Sequence, residues 1–305
     1  MRIPVAFRAE DPTMTPLSSH LEALCTRYCR LDPVLHAATA WRPHRDYRHL
    51  AGIRTAPVVL SELHQVAATQ PLLFETDALG PLPVALLRLE DEDDSAVLGP
   101  AGDWRGHYVP AALRLAPFGC DPRAPAPVLL IDPESPLVVP AGTPGAVPLH
   151  DPAGAPGPAL RKIAGFFAGY HRALQRSRSA AGLLRQFGLL RPARSLKALD
   201  HAAFDGLETI ERSALAGLDP LKLSRLTRAG GTELAYVQAV SLQKIAHMQL
   251  ITRQLARRGA PRPVRAPGTE TGPDTGHDTG LNDFLDSLAS QYVSERDAIT
   301  GHDGP

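Results

Sequence analysis

The chain has 305 residues, enough for one large or two small domains, with 44% hydrophobic and 21% charged residues and a formal net charge of zero. That balance lacks the basic surplus of a nucleic-acid binder, and the locally Arg-rich stretches 172–194 and 253–265 read as solvated helix faces or helix C-termini. No apolar run approaches the ~18 residues of a membrane helix, the N-terminus MRIPVAFRAEDPTMTP lacks a secretory pattern, and three cysteines are too few for a disulfide framework.

The expected location is therefore the cytoplasm, with signal-independent export left open. Aromatic residues make up only 5% of the chain, so Leu, Val and Ala must fill most of the core. Residues 1–40 read as a peripheral leader with a short helix over 18–31, which places Leu21, Leu24, Cys25 and Tyr28 on one side. Cys25 and Cys29 lie one helical turn apart. A structural metal site needs about four ligands, and only His20 and His36 lie nearby, so both thiols read as ordinary semi-buried side chains.

Residues 41–150 read as β-rich. A short strand is expected at 58–60, then a helix from Ser61 to Gln70 that Pro71 ends. Strands follow at 71–75 and 84–89, separated by a Gly80-Pro81 turn signal. Glu90–Asp94 reads as a solvated acidic hairpin tip, since it lacks the spaced ligands and glycine of a calcium loop. Val97–Leu98 resumes the sheet, residues 101–104 turn, and 127–132 is a buried strand. Short strands at this spacing predict a mainly antiparallel sheet.

A Pro/Gly/Ala hinge at 152–158 opens the helical half. Leu160, Ile163, Phe167, Tyr170 and Leu174 fall on one helical face, and Leu183, Leu184, Phe187 and Leu190 make a second apolar cluster. A return strand at 206–210 and short helices at 213–218 and 220–229 lead to Gly230-Gly231 and Thr232, a break followed by a cap. The spacing of Val237, Val240, Ile245, Met248, Ile251 and Leu255 predicts one long helix over 233–258.

From Gly259 to residue 305 the composition is that of a disordered tail. Within it Leu281, Phe284, Leu285, Leu288 and Tyr292 define a short amphipathic helix near 281–293. It either docks on the body or offers a helix to a partner's groove. The fold class expected is α+β. A mainly antiparallel sheet in the N-terminal half packs with a helical half, 158–258, that ends in one long helix between disordered ends.

No phosphate loop, nucleophile elbow or zinc signature is present. Two constellations stand out. His44-Arg45-Asp46 has the H-x-D spacing of a two-histidine, one-carboxylate iron site, with His107, His150 or His171 as the third ligand. Twelve histidines make such spacing common by chance, and Asp46 has Arg45 and Arg48 as alternative partners. Trp104, Tyr108 and Phe118, set among prolines, are candidates to line a peptide groove.

Three blocks carry a family resemblance. The first is His44-Arg-Asp-Tyr-Arg-His49 with Pro57-Val-Val-Leu-Ser-Glu-Leu63 and Pro71-Leu-Leu-Phe74. The second is Gly102-Asp-Trp-Arg105 with His107-Tyr-Val-Pro110 and Leu113-Arg-Leu-Ala-Pro-Phe118. The third is Gly206-Leu-Glu-Thr-Ile210, Leu215, Leu218 and 231–241. In order and combination they resemble the bacterial SapC family, named for a gene in a surface-layer locus, over roughly 41–255.

The chain departs from the pattern in a shortened segment before Pro57 and in Glu211, where the family has an aspartate. The resemblance implies a bacterial origin and an association with cell-surface or export functions. It implies no reaction, no cofactor and no catalytic residues. The expectation is a non-enzymatic accessory or binding protein for a bacterial peptide or surface-protein system, with a protein or peptide partner. The alternative is a metal-dependent oxygenase of the non-haem iron type using His44 and Asp46. A purely structural surface component is a third, weaker reading.

Overall fold

The structure is a computed structural model in which residues 28–43, 46–89, 96–99, 101–196, 199 and 204–257 are described. At its centre β4 (Leu72–Asp77) and β5 (Gly80–Leu86) form a hairpin paired from Leu72↔Ala85 to Asp77↔Gly80. Asp77 Oδ1 accepts the Leu79 N–H at 2.8 Å, and Gly80 takes φ +105°, a value that favours glycine, so the chain reverses within two residues.

β3 (Thr55–Pro57) adds to β5. β11 (Leu207–Ile210) and then β10 (Leu190–Pro192) add on the other side, giving the antiparallel order β10-β11-β4-β5-β3. Leu72, Leu73 and Phe74 are all fully buried. Successive strand residues face opposite ways, so this sheet is covered on both faces.

Two further antiparallel sheets have three strands each. One orders β1 (Cys29–Arg30), β7 (Leu129–Ile131) and β6 (Phe118–Cys120) as β1-β7-β6. The other orders β8 (Val138–Pro140), β2 (Thr39–Trp41) and β9 (Val147–Pro148) as β8-β2-β9. Tyr28–Leu31, the described part of the predicted 18–31 helix, is extended instead, because Cys29 and Arg30 pair with Ile131 and Leu130. Among the described residues neither Cys29 nor Cys120 is in a disulfide.

The expected strand at 58–60 falls just after β3. Glu62 Oε1 takes the Val59 N–H at 3.0 Å, which withdraws it from a ladder and folds the chain into a 3-10 turn, Leu60–Glu62, and a short helix α1 (Leu63–Ala67). A second short helix, α2 (Ala111–Arg114), precedes β6.

The long helix is α3 (Pro158–Gln186), which starts with Pro158 at its first position after the 152–157 turns. It is a rod of roughly 43 Å that carries the first predicted apolar cluster and Leu183 and Leu184 of the second, while Phe187 lies at its C-terminal cap and Leu190 in β10. It packs across β5 and against α6 (Gly231–Ser241). Between them in sequence, α4 (Arg212–Ala216) and α5 (Pro220–Arg228) are capped by Glu211 and Asp219, respectively.

The helix expected over 233–258 is two: α6 and α7 (Lys244–Arg257). Gln243 N–H bonds Val240 C=O and Ile245 N–H bonds Leu242 C=O, three-residue spacings that tighten the turn between them. The predicted apolar stripe is interrupted at this turn: Val240 is exposed before it, and Ile245 and Met248 are buried beyond it. The acidic run 90–94 and the segment 281–293 lie outside the described residues. Among those described, no helix is long and apolar enough to cross a membrane.

Polar clamps fasten α6 to the sheet. Gln238 Nε2 donates to Leu72 C=O and Thr209 Oγ1, both at 3.0 Å, and Ser241 Oγ accepts the Leu72 N–H at 2.8 Å. Gln238 and Ser241 are buried, so these bonds form away from water. Gln238→Leu keeps the volume and removes the clamp. It is expected to lower stability by about 1–3 kcal/mol, read as a lower urea midpoint at unchanged slope.

Candidate functional site

The loop after Val97 meets a sequence block far from it in the chain. Gly99 N–H bonds Asp103 C=O at 2.7 Å, Gly102 N–H bonds Gly99 C=O at 2.9 Å, and Leu98 bridges Trp104. Gly102 closes this turn at φ +82°. Its C=O accepts the Tyr47 N–H at 2.8 Å, which joins the histidine-rich block to the tryptophan block.

A Cβ on Gly102 would stand 2.4 Å from Arg48 Cγ and 2.9 Å from Asp46 Oδ1, so the two blocks touch only because this residue has no side chain.

The junction presents an aromatic step. Tyr47 meets Trp104 edge-on at 5.6 Å and stacks on His49 at 6.3 Å. Trp104 Nε1 donates to Tyr108 C=O at 2.9 Å, and the Arg114 guanidinium lies 4.2 Å above the Tyr108 ring. Tyr47, Trp104 and Tyr108 are each half-buried, so one side of each ring is packed and the rest is at the surface.

Glu62 supports this step from below. Its Oε1 accepts Val59 N–H at 3.0 Å and its Oε2 accepts Ala111 N–H at 2.8 Å, while Tyr108 hydrogen-bonds it and Arg114 Nη2 lies 4.0 Å away. Burial pushes the Glu62 carboxyl up, against the lowering by those two N–H groups and Arg114. Burial, and then the nearby Glu62 charge, push the Tyr108 hydroxyl well above its ordinary range. Burial also holds the His49 imidazole below its usual value, which favours the neutral ring.

Beside Trp104 lies a second buried polar group. Gln70 is fully buried, and its Oε1 and Nε2, with Thr69 Oγ1, have no hydrogen-bond partner among the described residues. Gln70 Nε2 and Thr69 Oγ1 lie close to Gly106. A Cβ there would lie 2.8 Å from Trp104 Nε1, 3.1 Å from Thr69 Oγ1 and 3.4 Å from Gln70 Nε2. An unpaired carboxamide carries both a donor and an acceptor, which is the pattern of a peptide unit.

Of the residues singled out from sequence, Trp104 and Tyr108 share this step. Phe118 does not: it is fully buried in another apolar cluster, edge-on to Trp41 at 5.5 Å. Its place at the start of β6 turns it inward, away from the loop.

His44 lies outside the described residues. Asp46 is engaged locally: its Oδ2 accepts from Arg48 Nη2 at 2.7 Å and its Oδ1 from Arg48 N–H at 3.0 Å, and the guanidinium bond holds its carboxyl below the usual range. The three histidines offered as a third ligand are dispersed. His107 is exposed on the loop, His150 bonds His36 C=O, and His171 bonds Ala124 C=O. Among the described residues no three or more His, Cys, Asp or Glu side chains are grouped to hold a metal ion.

Sequence reasoning did not single out Tyr47, Glu62, Gln70 or Arg114. One signal for Glu62 was on view: a lone carboxylate in the apolar run Pro57-Val-Val-Leu-Ser-Glu-Leu63.

Fold and site together define an α+β protein whose joined sequence blocks build a surface aromatic step over buried polar groups. The SapC family model matches residues 31–248, which include all of these blocks, and the chain belongs to the SapC family. No curated protein and no solved structure gives a significant match.

Two outcomes follow from this geometry. Gly102→Ala brings a methyl against Arg48 at a positive φ, and a loss of about 1–3 kcal/mol is expected in chemical denaturation. Glu62 gives a pH signature. Its folded pKa is above the ordinary 4.5, so its contribution to stability is fully present below pH 4.5 and is lost as pH rises through the folded value. The stability of the wild type relative to Glu62→Gln should therefore fall as pH rises above 4.5 through the raised folded value. A pH-independent difference in paired denaturation curves would refute the raised pKa.

Proposed function

We propose that this SapC-family protein is a non-enzymatic accessory protein that binds an extended peptide segment of a protein partner at the Tyr47–Trp104–Tyr108 step. The observation that carries this reading is the buried Gln70 carboxamide, unpaired beside Trp104 and matched in hydrogen-bonding character to a peptide unit. Half-buried aromatic rings supply apolar contact at small entropy cost, and a buried polar group left unpaired is costly until something pairs it. Gln70 itself is covered, so pairing it requires the loop at Gly106 to shift.

The test uses intrinsic fluorescence of the full chain. It has two tryptophans, of which Trp41 is buried and Trp104 half-buried, so a ligand at the step changes Trp104 emission first. Titration with a panel of extended peptides rich in apolar residues should give saturable changes that vanish in Trp104→Phe. Gln70→Leu should weaken the binding peptides about tenfold, the scale of a buried hydrogen bond. Equal binding by wild type and Gln70→Leu, or no binding across the panel, would overturn the proposal. Stoichiometric iron lost in Asp46→Ala would favour the oxygenase reading instead.

A further inference from the structure

A second feature lies away from the aromatic step. Leu82, Phe118, Leu130, Phe167, Tyr170 and Leu174 wall a cavity of about 80 Å³ between α3, β5 and the β6–β7 pair. It adjoins an open polar trough lined by Arg123, His171, Gln175 and Ser179, and Pro122 and Arg178 belong to both. The trough has a built wall: His171 Nε2 bonds Ala124 C=O at 3.0 Å and Gln175 Nε2 donates to Pro122 C=O at 2.9 Å, so the loop after β6 is fastened to α3.

Arg178 stands where the two meet and is 8% exposed. Its Nη1 and Nη2 donate to the two Asp77 oxygens at 2.8 and 2.6 Å, and Nη1 also reaches Gly80 C=O at 3.2 Å. Its Nε has no partner among the described residues. A buried N–H of this kind lacks an acceptor. The guanidinium charge is already neutralised by Asp77, and a second carboxylate beside that pair would be buried without a countercharge. The acceptor that fits is an uncharged carbonyl.

The apolar walls set the rest of the ligand. The cavity is about half the ~150 Å³ of an apolar cavity that admits benzene, so it takes an aliphatic group of roughly four carbons. We propose that this cavity binds a short aliphatic acyl group. The chain lies among Phe118, Phe167 and Leu174, the neutral carbonyl oxygen accepts from Arg178 Nε, and the remainder of the molecule runs along the trough. The site is independent of the aromatic step, and neither reading depends on the other.

The test is titration of the full chain with pentanamide and, separately, pentanoate, followed by methyl NMR of Leu82, Leu130 and Leu174. Pentanamide should move these resonances saturably, and pentanoate should bind at least tenfold more weakly. Ala112→Leu, which fills the cavity from its half-buried rim, should abolish the shifts, as should Leu130→Phe if the first variant does not fold. Arg178→Lys, which removes Nε, should weaken pentanamide about fivefold. Absence of saturable shifts would overturn the proposal. So would tighter binding of pentanoate, or pentanamide binding unchanged in the filled variants.

Discussion

The buried ion pair between Asp77 and Arg178 is the joint on which this architecture turns. Asp77 closes the β4–β5 hairpin by taking the Leu79 N–H, and Arg178, 101 residues away on α3, grips that same carboxylate with two nitrogens. A slip of α3 by one residue would rotate Arg178 away by ~100° and leave both charges buried and unpaired. The pair therefore sets the register between the longest helix and the tightest hairpin. Buried pairs of this kind add little net stability against an apolar substitute, but breaking one costs several kcal/mol. Their value here lies in orientation.

That orientation matters because α3 spans two apolar clusters. Leu160, Ile163, Phe167, Tyr170 and Leu174 belong to one, and Ala180, Ala181 and Leu184 to the other, with Arg178 at the changeover. Glu62 occupies a comparable seam. It bonds the N–H groups of Val59 and Ala111 from the first cluster, and its neighbour Leu63 packs in the second. Both buried ionisable side chains thus sit where apolar packing alone would leave the alignment of the clusters under-determined. Hydrophobic contact is non-directional, and a charged hydrogen-bonded group supplies the direction it lacks.

The sequence carried much of this and withheld a definable part. Local periodicity identified the antiparallel strands around Leu72 and Leu207, the start of α3 after the 152–157 turns and the short helices capped by Glu211 and Asp219. Those features depend on neighbours within about four residues. What escaped depends on distant partners. The continuity of α3 through Gly182 and the break between α6 and α7 are decided by packing rather than propensity. Phe118 and Trp104 look alike in sequence as aromatics near proline, but strand β6 buries the first and the Gly99–Gly102 turn brings the second to the surface. Gln70 and Arg178 gave no signal, because an unpaired hydrogen-bonding group becomes visible only once its surroundings are known.

The ionisable groups at the aromatic step are enclosed rather than presented to a ligand. A general acid must reach the substrate atom it protonates. Glu62 is 2% exposed, and each of its oxygens already accepts a backbone N–H, from Val59 and from Ala111. Tyr108 is pushed far from neutral pH, and burial keeps His49 towards its neutral form. These shifts arise because the groups are enclosed to hold a loop in shape, and they leave the exposed edges of Tyr47, Trp104 and Tyr108 as the chemically available surface. The half-buried rings of this step rest on buried hydrogen-bonded side chains, and it is this support that the proposed peptide recognition would draw on.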